Sequence, residues 1–144
     1  MKDRSLPVEV SIHIQEPVSL VWDVMTEIEP IREWFFENIP NFEAKVGSVT
    51  RFAVSSEERT FSHIWKVLEV VPQNKLVVEW RYDEYDGAST ATYLLDPEDG
   101  GTRVTIIAKG LDQFPADIPE FAWESCEAGW KYFGERLRLY CESD

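Results

Sequence analysis

His63 stands in the alternation Phe61, His63, Trp65, Val67, so a strand here turns the imidazole to the same side as two large aromatic rings. An imidazole on an inward face can take a proton, and tyrosine hydroxyls near it can hold an oxygen of a bound molecule. Tyr82 and Tyr93 fall on the inward faces of two other segments and Glu127 on the flank of a helix, which makes these four the polar groups able to orient a ligand. Each has a plainer role as well. A histidine on a mostly apolar strand is more often a hydrogen-bonded core residue than a base, and an inward tyrosine commonly satisfies its hydroxyl at a sheet edge. Cys126 lies between Trp123 and Trp130 and reads as a small apolar filler, because a nucleophilic thiol needs cationic help that its acidic neighbours do not supply.

Other chemistries lack their residues. The two histidines, His13 and His63, belong to separate strands, and no HExxH or CxxC spacing occurs, so no metal and no cofactor are expected. There is no G-x-S-x-G elbow, phosphate-binding loop or dinucleotide fingerprint, and Gly100-Gly101 suits a hairpin turn. A net charge of −13 opposes contact with nucleic acid phosphates or an anionic membrane face, so neither is an expected partner. The polar start Met-Lys-Asp-Arg-Ser and the lack of any run of about 20 apolar residues point to the cytoplasm. Cys126 and Cys141 fall about 22 Å apart on one predicted helix, beyond the ~7 Å reach of a disulfide, and are expected as free thiols.

These groups need a scaffold, and 144 residues at 44% apolar composition suffice for one domain spanning 1–144. The longest element is predicted from Pro119 to about Cys141, where Trp123, Cys126, Trp130, Phe133, Leu137 and Tyr140 recur at three- and four-residue steps. Asp117 and Glu120 are spaced for a capping box at its start. Such a helix spans roughly 34 Å and suits a curved sheet wrapped along it. Gly129 and Gly134 sit in this helix at a cost of about 1 kcal/mol each relative to alanine, so either a neighbour packs closely or space is being kept.

Val8, Val10, Ile12 and Ile14 alternate with polar residues as a first strand. Pro17 opens a short helix carrying Val18, Val21, Trp22 and Met25, and Pro30 is expected to end it and begin a second one with Ile31, Trp34 and Phe35. From Asn41, turns at Val46-Gly47, Ser55 to Glu58, Pro72 to Asn74, Asp86-Gly87 and Asp99 to Gly101 divide the chain into six more strands. Leu76, Val78, Trp80 and Tyr82 share one face against Val77, Glu79, Arg81 and Asp83. The sum is an α+β domain: an antiparallel sheet of about seven strands on a long C-terminal helix, with two short helices after strand one.

The runs Glu16-Pro17 with Val21-Trp22, Trp34-Phe35, Gly47 with Phe52, Trp65 to Pro72, Leu76 to Trp80, Ser89 to Pro97, Gly101 to Thr105, and Gly129-Trp130 with Phe133 and Leu137 occur in an order that resembles a known family. It is that of the homologues of the heat shock protein 90 ATPase activator, activator C-terminal-domain-like, within the START-like or Bet v 1-like superfamily (SRPBCC). The resemblance implies a helix-grip fold with an apolar cavity between helix and sheet. It also implies a range of activities, since relatives carry lipids, sterols or polyketides, some are cyclases, and the activator stimulates a chaperone ATPase. No cyclase catalytic set carries over to positions of this chain.

The leading expectation is a non-enzymatic module that binds a small hydrophobic molecule of lipid, polyketide or aromatic type. Contact would come from Trp34, Phe52, Phe61, Trp65, Trp80, Tyr93, Trp123, Cys126 and Trp130, and orientation from His63 and Tyr82. Two alternatives stand beside it: a polyketide cyclase-like enzyme using His63 as general base, and an interaction protein whose partner is a chaperone.

Overall fold

A computed structural model describes residues 3–56 and 58–143. Strand β1 (Val8–Ile14) leads into helices α1 (Val18–Thr26) and α2 (Ile28–Trp34). Five strands follow, β2 (Val49–Ser55), β3 (Thr60–Val71), β4 (Lys75–Tyr82), β5 (Tyr85–Glu98) and β6 (Gly101–Lys109), and the chain closes with α3 (Trp123–Glu142). All pairings are antiparallel, in the order β1-β6-β5-β4-β3-β2, so the sheet has six strands with β1 and β2 at its edges. Alternation along the strands buries Val104, Ile106 and Ala108 of β6, Ala91, Tyr93 and Leu95 of β5, and Leu76 and Val78 of β4 on the face that the helices cover, as their spacing predicts.

Several expectations are corrected. The segment from Asn41 to Lys45 is not a seventh strand, because it pairs with no ladder; Phe42 and Ala44 pack on the core while Thr50 Oγ1 donates to the Asn41 carbonyl at 3.1 Å. The break between the first two helices falls at Glu27, not Pro30, which sits inside the first turn of α2, where a missing N–H leaves no intrahelical bond unmade. The β4–β5 turn is Asp83-Glu84, with Tyr82 opposite Tyr85, so Asp86-Gly87 lies within β5. Gly87 is needed there for another reason: its φ is 114°, and a Cβ would stand 2.5 Å from the Gln113 carbonyl oxygen.

The long helix starts four residues later than its periodicity suggests. Pro119–Phe121 forms a separate 3-10 turn, Ala122 is extended, and no side chain caps α3, so the Asp117 to Glu120 capping box does not form. Phe121 explains the break: its ring stacks on Phe114 at 4.7 Å and meets the edges of Phe61 and Tyr85, a position a continuous helix would carry off the sheet. At the other end Cys141 is buried and Tyr140 is exposed, one position away from the expected stripe. Arg136 fastens α2 to α3 by donating to the carbonyl oxygens of Trp34 and Glu33.

The two helix glycines have different reasons. A Cβ on Gly134 would lie 2.5 Å from Ile12 Cδ1 and 3.0 Å from its Cγ1, so this glycine lets β1 approach the helix. Gly129 has nothing within 4 Å of that position. Gly129→Ala should therefore stabilise the fold by about 1 kcal/mol through helix propensity alone, whereas at Gly134 overpacking of about 1–3 kcal/mol cancels or reverses the same gain. Paired urea melts check this; equal stabilisation by both changes would mean that Ile12 yields freely.

Candidate ligand-binding cavity

The register between β3 and β4 sets His63 opposite Tyr82 and Trp65 opposite Trp80. Inward side chains of these pairs build one wall of a cavity of about 330 Å³, with Phe61, His63, Trp80 and Tyr82 lining it. Cys126, Gly129, Trp130 and Phe133 of α3 form the facing wall. Leu111, Phe114 and Phe121 close one end from the connection between β6 and α3, and Phe36 enters from the chain after α2. Gly129 keeps space because no side chain fills its position.

Six of the residues predicted from sequence are thus together on the cavity: Phe61, His63, Trp80, Tyr82, Cys126 and Trp130. Five lie elsewhere. Trp34 is buried with its indole N–H donating to the Val24 carbonyl at 3.0 Å, and it shares with Trp65 and Tyr93 a separate void of about 20 Å³. Phe52, on the edge strand β2, stacks flat on the His63 ring at 4.7 Å and supports it from outside the cavity. The Trp123 indole donates to the Pro7 carbonyl at 3.3 Å and ties the start of α3 to the beginning of β1. Glu127, the ambiguous flank residue, pairs with Lys131 at 3.6 Å. Sequence reasoning missed Phe36, Phe114 and Phe121. Phe114 and Phe121 had a faint signal: large rings in a Pro-containing connection without periodicity must be buried by something other than a regular element.

A small polar cluster stands at the rim. Glu120 accepts a hydrogen bond from Ser56 Oγ at 2.7 Å and pairs with Arg59 at 3.3 Å, joining the β2–β3 hairpin to the turn before α3. Deeper, His63 Nδ1 donates to the Phe61 carbonyl at 3.0 Å, which leaves Nε2 as the acceptor nitrogen. Burial holds this imidazole at a pKa of about 4, against 6.5 in water, and outweighs the opposing pull of the Phe61 carbonyl and the Glu84 carboxylate. Burial also raises the Cys126 thiol to about 11 and pushes the Tyr82 hydroxyl well above the usual tyrosine range. All three are uncharged near neutral pH. A base so weak and a thiol so protonated suit binding and orientation better than proton abstraction or nucleophilic attack.

The His63 value has a consequence for stability. Between about 6.5 and about 4 the unfolded chain binds a proton that the folded chain excludes, so stability is complete above the upper value and falls as pH drops toward the lower. Lowering pH from about 7 to about 5 should remove about 2 kcal/mol through this residue, and His63→Phe should lose that much less over the same interval. Urea melts of both proteins at the two pH values measure it. The same pH dependence in both would place His63 in water.

The family model described as activator of Hsp90 ATPase homolog 1-like protein matches residues 15–142. The chain belongs to this family. Solved structures share the architecture over nearly the whole of this chain. A protein of Chromobacterium violaceum, 20% identical, superposes with a TM-score of 0.80 over 96% of this chain and 98% of that one. A protein of Mesorhizobium loti, 27% identical, gives 0.72 over 94% and 96%. DynU16, a protein of the dynemicin biosynthetic locus, is 22% identical and gives 0.76 over 99% of this chain and 48% of that longer one. No curated protein matches the chain. The six-stranded antiparallel sheet, the long C-terminal helix and the two short helices after β1 are those of the helix-grip fold. Among the described residues, no helix is long and apolar enough to cross a membrane.

Proposed function

We propose that this member of the activator of Hsp90 ATPase homolog 1-like family is a cytoplasmic, non-catalytic domain that binds one small hydrophobic molecule between α3 and the sheet. The cavity carries the reading. A volume of about 330 Å³ falls within the range of ligand pockets, at its lower end. Its walls are aromatic faces with few polar groups, the usual lining of a small-molecule site.

Trp80 and Trp130 face the space and supply the signal for a test. Titration with N-phenyl-1-naphthylamine, an uncharged apolar probe, should change tryptophan emission saturably at one-to-one stoichiometry, and native mass spectrometry of freshly purified protein should show a co-purified small molecule. A linear, unsaturable response with no bound mass would end the proposal. The family description favours a second reading, docking on a chaperone. Retention of a purified Hsp90 by the immobilised chain, with no saturable probe binding, would favour it over the first.

A further inference from the structure

We propose that His63 and Tyr82 form a polar anchor in the cavity wall that selects an uncharged aromatic molecule carrying a hydroxyl group, a phenol or an enol, over hydrocarbons and carboxylates of the same size. The inference rests on the proposed ligand-binding role and adds the class of ligand. It starts from unmet hydrogen-bonding capacity. The Nδ1–H of His63 is spent on the Phe61 carbonyl, and among the described residues neither its Nε2 nor the Tyr82 hydroxyl has a protein partner; both are open to the cavity, since the buried side-chain atoms left without a partner are the indole nitrogens of Trp65 and Trp80. Both side chains line the cavity, and the register of β3 and β4 holds their rings 4.8 Å apart.

The remaining rings around the imidazole leave little choice of partner. Phe52 stacks on one face, Phe36 and Trp80 approach to 5.5 Å, and no N–H or O–H of the described residues donates to the free nitrogen. An acceptor open to the cavity takes its donor from whatever occupies that space, a ligand or water, so a ligand hydroxyl keeps a hydrogen bond there that a hydrocarbon forfeits. An acceptor nitrogen beside a hydroxyl that both donates and accepts matches a group with the same double character, which a hydroxyl has and an ether or hydrocarbon lacks. The aromatic class follows from Trp80, Trp130, Phe36 and Phe133, whose faces offer stacked and edge-on contacts to a flat ring.

Charge argues against a carboxylate. Burial keeps the imidazole neutral, and the chain as a whole carries −13. Glu120 stands at the rim and Glu84 acts on His63 from the β4–β5 turn. Lys109, the cation among the lining residues, is exposed on β6. An anion drawn to the anchor would be desolvated without a positive partner, a far larger cost than burying a hydroxyl that finds its hydrogen bonds.

Competition against bound N-phenyl-1-naphthylamine separates the possibilities, using 2-naphthol, naphthalene, 2-methoxynaphthalene and 2-naphthoate as competitors. In a purely apolar cavity naphthalene should win, because the hydroxyl of 2-naphthol would be buried unpaired. With the anchor, 2-naphthol should displace the probe at about tenfold lower concentration than the other three, the size of one well-made hydrogen bond. His63→Phe should erase that preference while leaving naphthalene binding in place, and Tyr82→Phe should reduce it. If His63→Phe fails to fold by circular dichroism, the competitor order and Tyr82→Phe still decide. Equal or weaker binding of 2-naphthol, or a preference that survives the variants, overturns the anchor and leaves the cavity reading standing as long as the probe binds saturably. Absence of saturable probe binding overturns both.

Discussion

Trp34→Ala is expected to cost about 3–5 kcal/mol of stability while leaving ligand affinity of the folded protein nearly unchanged. The residue is among the largest fully buried side chains and stacks on Phe35 at 4.7 Å. Its N–H to the Val24 carbonyl joins α2 to α1, so truncation removes the ring and strands a buried acceptor as well. The wall of the 330 Å³ cavity does not include it. Trp130→Ala makes the contrast. This ring packs against Trp80 at 5.4 Å and Tyr93 at 5.9 Å but also faces the cavity, so its loss should cost about 3 kcal/mol, at the lower end of the same range, and should change probe binding as the cavity enlarges. Denaturant melts combined with probe titration measure both quantities. If Trp34→Ala alters affinity and Trp130→Ala does not, the cavity has been assigned to the wrong end of the sheet.

Filling the space directly should have the largest effect on binding. Cys126→Phe adds a ring from α3 into a volume bordered by Tyr82, Trp130 and the bare position at Gly129. Forcing such a ring into a packed core costs about 1–3 kcal/mol, whereas here it meets open apolar space and should leave stability within about 1 kcal/mol of the native value. Affinity for N-phenyl-1-naphthylamine should fall at least about tenfold, because ligand and ring compete for the same volume. Strong destabilisation by this change, together with no saturable probe response in the native chain, would show that the interior is packed solid.

Much of this architecture is legible before any coordinates. Alternation in β3 to β6 names the buried face residue by residue, because a strand has two faces and a one-residue slip would expose every apolar side chain. The helix stripe is similarly plain from Trp123 through Leu137. Boundaries are less so. The expected capping box fails because Glu120 is drawn to Ser56 and Arg59, and the Asp-Gly turn between β4 and β5 fails because Gly87 serves the approach of Gln113. Both are contacts between segments far apart in sequence, invisible to a local pattern.

The candidate site divides in the same way. Periodicity establishes the antiparallel sheet on a long C-terminal helix, the inward side of His63 and Tyr82, and the crowd of aromatic rings around them, because each depends on spacing within one element, while the helix-grip fold is what the family resemblance adds. Which rings border empty space depends instead on how far apart two buried faces are held. Trp65 and Trp80 sit opposite one another on adjacent strands, yet one borders the small void and the other the large cavity. Gly134 and Gly129 lie on one helix, and only the position of Ile12 on β1 makes the first a close contact and the second a gap. A cavity is the small difference between the volume enclosed by packed elements and the volume of their side chains, so it emerges from the three-dimensional sum and from no single stretch of sequence.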